Sequence, residues 1–161
     1  MTVVNFFDEY SEKEREAIMK DTKVYNDILA ALKKYQKTPM LSIYPNKFMI
    51  LDKGKRKPEE SILGGKETPG DLVFSPNIFG TVFLTDLLKI CETCKSKREN
   101  IIRKFMSYVH PKGYLVFKFE SILLPDIMEL FKNEDKKNIR AVTCDRDIFL
   151  VIKKAVQIEK D

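Results

Sequence analysis

The feature that most constrains this chain is a repeated switch of hydrophobic period between Asp71 and Ala155. "DLVFS" is short and apolar and reads as a buried strand, and "IFGTVFLTDLLKIC" reads as a strongly apolar helix. "SKRENIIRKFMSYV" follows as a second helix, with Ser96 and Glu99 at capping-box spacing. "PKG" then turns the chain into the strand "YLVFKF", and "SILLPDIMELFKN" is a helix. Its Pro125 is tolerable in the first turn, where amide hydrogens have no intrahelical partner. "NIRAVTC" and "DIFLVIKKA" read as an antiparallel hairpin closed by a short turn from Cys144 to Asp147. Strands joined through helices must run parallel, because a helical crossover returns the chain to the same end of the sheet. The expectation is an α/β fold with a mostly parallel sheet that ends in an antiparallel hairpin.

The N-terminal part is expected to be helical. Ser11 and Glu14 form a second capping-box pattern, and the helix it opens has only Ala17 and Ile18 as an apolar pair, which suggests a surface element. Val24, Tyr25, Ile28, Leu29 and Leu32 recur at helical spacing, so a second helix is expected over 22–36. "MLSIYP" and "KFMILDK" read as two strands around a tight turn at Pro45 and Asn46. The glycine-, proline- and charge-rich stretch over 53–70 reads as a long surface loop. The 161 residues are expected to form a single domain, with N-terminal helices over 1–37 and the α/β core over 38–155.

With 43% hydrophobic and 33% charged residues, the composition argues against wholesale disorder. No apolar run approaches the ~20 residues of a membrane helix, and the first residues lack a basic segment followed by an apolar one. A cytoplasmic or nuclear setting, without a membrane partner, is the expectation. Three cysteines, an odd number, point to reduced thiols rather than a disulfide framework. Cys91 and Cys94 have the spacing of a zinc half-site that His110 and Cys144 could complete. No second C-x-x-C is present, so buried thiols are the simpler reading and no metal is expected. His110 itself reads as an exposed turn residue.

A lysine, Lys118, interrupts the apolar strand "YLVFKF". With the flanking residues, "PKGYLVFKF" resembles the "GG-x-hhh-K-hF" strand of FtsJ-like RNA ribose 2′-O-methyltransferases, and "RDIFLV" resembles their "RExYhV" strand. The order of elements from Asp71 to Ala155 is similar to the second half of that class I, S-adenosylmethionine-dependent fold. The resemblance implies a Rossmann-like methyltransferase-type sheet. It also implies a Lys–Asp–Lys–Glu tetrad in which a lysine activates the ribose hydroxyl, with Lys118 at the second lysine and Asp147 at the glutamate. A lysine does such work when desolvation or charge tunes it and a carboxylate fixes its position. The family's "hhSD" motif matches "VFSP", so Pro76 stands where its aspartate belongs, and Asp71 is carried as the upstream acid of the catalytic set. Asp52, at the end of "KFMILD", matches the acid that holds the cofactor ribose. The glycine-rich turn after the first strand has no counterpart.

Two basic clusters complete the reading. Lys53, Lys55, Arg56 and Lys57 lie in the expected loop, and Lys95, Lys97, Arg98, Arg103 and Lys104 lie on the expected helix after it. A net charge of +5 suits phosphate contacts, which need positive surface more than fixed geometry. With Pro76 and the absent glycine turn, the expectation is a degenerate, non-catalytic methyltransferase-like module that binds RNA or a protein. The alternative is an active RNA ribose 2′-O-methyltransferase using S-adenosylmethionine.

Overall fold

The computed structural model describes residues 12–20, 23, 25–26, 29, 38–52, 59–64, 69–84, 95–144 and 146–154. Helix α1 (Glu12–Lys20) precedes strands β1 (Met40–Ile43), β2 (Lys47–Leu51), β3 (Glu59–Ile62) and β4 (Phe79–Leu84). Helix α2 (Lys95–Tyr108), β5 (Val109–Glu120), α3 (Leu124–Leu130), β6 (Ile139–Cys144) and β7 (Asp147–Lys153) follow. The described strands form one sheet in the order β3-β2-β1-β4-β5-β7-β6. Five of its positions keep the 3-2-1-4-5 run of a doubly wound Rossmann sheet, with the reversal of strand order between β1 and β4. The fold is α/β and Rossmann-like.

Parallel pairing is confined to the centre, where β1 pairs with β4 and β4 with β5. The β1–β2 and β2–β3 pairs are antiparallel, as are β5–β7 and β6–β7. A hairpin system therefore flanks the parallel core on each side, with the tight turn expected at Pro45 and Asn46 joining β1 to β2.

The largest difference from the sequence expectation lies in the segment leading to β4. The "DLVFS" run is not a strand: Asp71 belongs to a 3₁₀ turn (Pro69–Asp71), and Val73 is 81% exposed. The strand is Phe79–Leu84, inside the stretch read as helix, and all six of its residues are buried. A central strand of a parallel sheet is covered on both faces, so its sequence shows an unbroken apolar run without alternation. Such a run looks the same as a buried helix segment. The next ten residues, 85–94, lie outside the described residues, as does most of the helix expected over 22–36.

Two further expectations are corrected. Glu59–Ile62, inside the expected loop, pairs antiparallel with β2 from Lys47↔Ile62 to Ile50↔Glu59. Its residues are mostly exposed, so no burial pattern marked it as a strand. Helix α1 is not a bare surface element, because Ile18 is fully buried against Val142 and Phe149 of the sheet. Ile18, with Ala17 packed beside it, docks the helix.

Strand alternation sorts the core into two layers. Leu115, Phe117 and Phe119 of β5 face α2 and α3, with Ile102, Phe105 and Ile127 across from them. Tyr114 and Val116 face the other way, with Phe83, Phe149, Val151 and Ile18. Among the described residues, no helix is long and apolar enough to cross a membrane.

Candidate functional site

In an open α/β sheet, ligands gather outside the carboxyl ends of the parallel strands, next to the point where strand order reverses. Here that edge is formed by the ends of β1, β4 and β5, and by the start of antiparallel β7. Lys118 lies there. It alternates with Val116 and therefore points to the α1 side of the sheet, half-buried, opposite Phe149 in the register. Two residues on, exposed Glu120 stands directly opposite half-buried Asp147.

Lys118 and Asp147 are thus diagonal neighbours on one face of adjacent strands, roughly 7 Å apart and within reach of a long side chain. The register brings together the two residues that the strand motifs singled out. It adds Glu120, which the motif comparison passed over; the period of two from Lys118 was the available signal. Like charges directly opposite each other on a sheet repel. The Glu120 and Asp147 carboxylates, with a lysine one diagonal step away, make a face where a cation is electrostatically favoured.

The other proposed acids are elsewhere. Pro76 and Asn77 precede β4, so on the order of 20 Å of strand separates them from the carboxyl edge. Pro76 lines a cleft of ≈ 450 Å³ with Arg103, Glu134 and Lys154. Asp71 sits beside two residues tied to α2, since Lys104 Nζ donates to the Gly70 carbonyl at 2.6 Å and Tyr108 Oη donates to that of Leu72 at 3.2 Å. The sheet stands between α2 and the face of Lys118, so Asp71 does not belong to the site. The stretch "VFSP" that matches "hhSD" is not part of a strand. Leu84 ends β4, and in sequence Thr85 and Asp86, outside the described residues, come next.

Asp52 is displaced by topology. It follows β2, which runs antiparallel to β1, and Met40, the first residue of β1, pairs with Leu51. Asp52 therefore lies at the amino edge of the parallel strands, opposite the edge where a cofactor ribose would sit. A β2 parallel to β1 would have carried it to the other end.

The cofactor test fails at β1 as well. A Rossmann-type site needs a glycine turn and a helix N-terminus just after the first strand, where amides can meet the ligand. Here β1 passes straight into β2 through Tyr44, Pro45 and Asn46, and the Tyr44 amide donates to the Lys47 carbonyl at 2.9 Å. The Leu63 amide donates to the Asn46 carbonyl at 2.8 Å, so the turn is also bound to the chain leaving β3. The described residues do not fit S-adenosylmethionine in the manner of that fold.

The basic cluster on α2 divides. Arg98 is 5% exposed, and its Nη2 pairs with Asp126 Oδ2 of α3 at 3.4 Å, so it joins two helices and cannot meet a phosphate. Lys104 is half-buried and holds the 3₁₀ turn through Gly70. Lys97 and Arg103 are exposed. The side chain of Lys95 lies outside the described residues, as do Lys53, Lys55, Arg56 and Lys57 in full.

A shared zinc site is excluded for two of its four candidates. His110 lies at the beginning of β5, whereas Cys144 pairs with Asp147 at the far end of the sheet, about 30 Å away along the strands. Cys91 and Cys94 lie outside the described residues, and the described residues contain no cluster of three or more metal-ligating side chains.

No family model matches the chain, and no curated protein matches it. Among solved structures it is similar to a candidate S-adenosyl-L-methionine-dependent methyltransferase from Methanococcus maripaludis. The identity is 9% and the TM-score 0.36, over 60% of this chain and 55% of that one. The chain thus spans about half the length of the structure it matches.

Proposed function

We propose that this chain is a methyltransferase-like α/β module that acts by binding rather than by catalysis, with RNA as its partner. The observation that carries the reading is the β1–β2 hairpin, whose closed turn takes the position a cofactor cradle would need. A scaffold of this kind persists without its site because stability resides in the core. The net charge of +5, with Lys97 and Arg103 exposed on α2, supplies the surface that phosphates require.

Calorimetry with millimolar S-adenosylmethionine is expected to give no heat. Single-stranded RNA is expected to bind with an affinity that falls with salt. Reversing Lys97 and Arg103 to glutamate should flatten the log–log salt slope by about 1.4, the value for two phosphate contacts on a single strand. Heat from the cofactor overturns the non-catalytic reading. Absence of RNA binding at low salt removes RNA and leaves a protein as the partner.

A second reading, an active RNA ribose 2′-O-methyltransferase, is favoured by the placement of Lys118 diagonally from Asp147 at the carboxyl edge. Leu84 ends β4, and in sequence "FLTD" would give the motif's aspartate position to Asp86. In this reading Lys118 would hold and activate the ribose hydroxyl while the carboxylates orient it. Methyl transfer to RNA that Lys118→Ala and Asp86→Asn both abolish would establish it.

A further inference from the structure

On the α1 side of the sheet, at the amino edge, a cleft of ≈ 340 Å³ is lined by Tyr114, Lys137, Asn138, Arg140, Val151 and Lys153. Three of these six are cationic and none is acidic. Their convergence is a product of sheet topology. Tyr114 and Lys153 are register partners on β5 and β7, Arg140 pairs with Val151 from β6, and Lys137 and Asn138 form the 3₁₀ turn (Lys136–Asn138) that leads into β6. No contiguous basic run announced the site. Tyr114 is separated from Lys118 by four residues of strand, roughly 13 Å, so this cleft is distinct from the carboxyl-edge face.

Like charges gathered in a concave surface focus a positive field and raise the local concentration of anions. The carboxylate beside Lys137 does little to cancel it. Asp135 pairs with Lys137 at 3.5 Å, but both side chains are more than half exposed, where such a pair contributes little. Asp135 is also held in place as the cap of the turn, its Oδ1 accepting the Lys137 amide at 3.1 Å. Lys153 is exposed and has no hydrogen bond or ion pair among the described residues. The rigid part of the cleft is good: Val151 and Tyr114 are 2% and 7% exposed, so the cations stand on a packed floor.

We propose that this cleft is a phosphate-ester binding site. Lys137 and Lys153 contact the phosphate oxygens, the Arg140 guanidinium adds its positive charge beside them, and the Asn138 amide supplies a neutral partner. Arg140 Nη1 donates to the Ile139 carbonyl at 3.2 Å, which anchors the guanidinium and leaves it to act through its charge, while the two ammonium groups act as point charges on either side. The volume suits a mononucleotide-sized group, either free or as one nucleotide of an RNA strand. The site is independent of the carboxyl-edge reading and of the residues invoked for it.

The test titrates the full chain at low ionic strength with three probes: inorganic pyrophosphate, uridine monophosphate and a ten-nucleotide single-stranded RNA. Lys153→Ala and Lys137→Ala are each expected to weaken pyrophosphate and nucleotide binding about tenfold, as removal of one charge-assisted hydrogen bond does. Lys153→Arg should retain most of the affinity. Lys132→Ala, at an exposed lysine paired with Glu129 on the other side of the sheet, should leave it within about twofold. If RNA affinity falls in parallel, the phosphate is that of the RNA backbone; if only the small probes are affected, the ligand is a free phosphorylated molecule.

The proposal is overturned if neither small probe binds at millimolar concentration, or if Lys132→Ala costs as much as Lys153→Ala. Salt-dependent RNA binding without pyrophosphate binding would remove this site and leave the proposed function standing. Cofactor heat would do the reverse.

Discussion

The two edges of the sheet surround a lysine in different ways. At the amino edge Lys154, just past β7, donates from one Nζ to three oxygens: Asn77 Oδ1 at 2.9 Å and the carbonyls of Met106 and Val109 at 3.0 and 2.8 Å. Those carbonyls belong to the end of α2 and the start of β5, where a helix leaves acceptors without intrahelical donors. One ammonium thus fastens the turn before β4, the end of α2 and the last strand. At the carboxyl edge Lys118 shares a half-buried face with two carboxylates, placed where α/β folds put ligands. The same residue type serves as a clip at one end and as a candidate for chemistry at the other, and the difference lies in what surrounds the ammonium. Substitutions at Lys154 and at Lys118 should therefore differ in what they cost the fold.

The largest effect is expected at Gly113. From Val109 to Tyr114, β5 advances five residues while β4 advances two, from Phe79 to Thr81, so the chain bulges through His110–Gly113. Lys112 takes a φ of 67°, and a Cβ on Gly113 would lie 2.5 Å from the Gly80 carbonyl oxygen and 2.7 Å from that of His110. Both are backbone atoms of packed strands and cannot swing aside. Gly113→Ala should lower stability by about 3 kcal/mol, the upper range for overpacking, with the midpoint of urea unfolding falling and its slope unchanged. A loss below about 0.5 kcal/mol would mean that the amino edge is far less rigid than its contacts indicate.

A smaller loss is expected at Lys154. Lys154→Met keeps the stem and removes three donors at once, leaving two backbone carbonyls to water or to nothing. The expected cost is about 2 kcal/mol at neutral pH. Burial lowers the Lys154 pKa below the ordinary lysine value of 10.5. Between the lowered folded value and 10.5 the unfolded chain binds more protons than the folded one, so this group's contribution to stability rises with pH across that window. The gap between wild type and Lys154→Met should widen as pH climbs towards 10.5. Urea titrations from pH 7 to 10.5 would show it, and a gap that narrows would contradict the desolvation of this lysine.

The contrast between edges also explains what could be read from the sequence. β5, β6, β7 and α3 were legible because their patterns are local: alternation, a proline in a first turn, a short hairpin connection. β4 was not, because burial on both faces removes alternation, and its strand was mistaken for a helix. Reading a strand at "DLVFS" is what set Pro76 against the motif and made Asp71 a candidate. β3 escaped because strand pairing alone holds its exposed residues in place. For the site, two strand motifs singled out Lys118 and Asp147, and the register sets them diagonally on adjacent strands. The inversion of Asp52 was implicit in the tight turn at Pro45 and Asn46, which makes β2 antiparallel to β1, but a match on one acidic residue takes no account of strand direction. Arg98 looked like its basic neighbours because nothing local records that Asp126, 28 residues away, faces it.

The smallest stability effect is expected at Lys118, and it bears most directly on the comparison. Its position is half-buried at a strand end where the amine can reach water past a packed stem, so Lys118→Met should cost less than about 1 kcal/mol. Asp147→Asn should cost a similar amount. If the diagonal placement brings the two charges into contact, a double-mutant cycle should return a coupling of about 0.5 kcal/mol, as for cross-strand ion pairs, and the coupling should shrink in high salt. A cost at Lys118 equal to that at Lys154 would make the carboxyl edge as structural as the amino edge. The charged face would then be a second clip, and the ligand site would have to be sought in the basic cleft instead. A small cost with a measurable coupling would leave Lys118 held in position by a carboxylate yet dispensable to the fold, the combination that a residue kept for binding or chemistry requires.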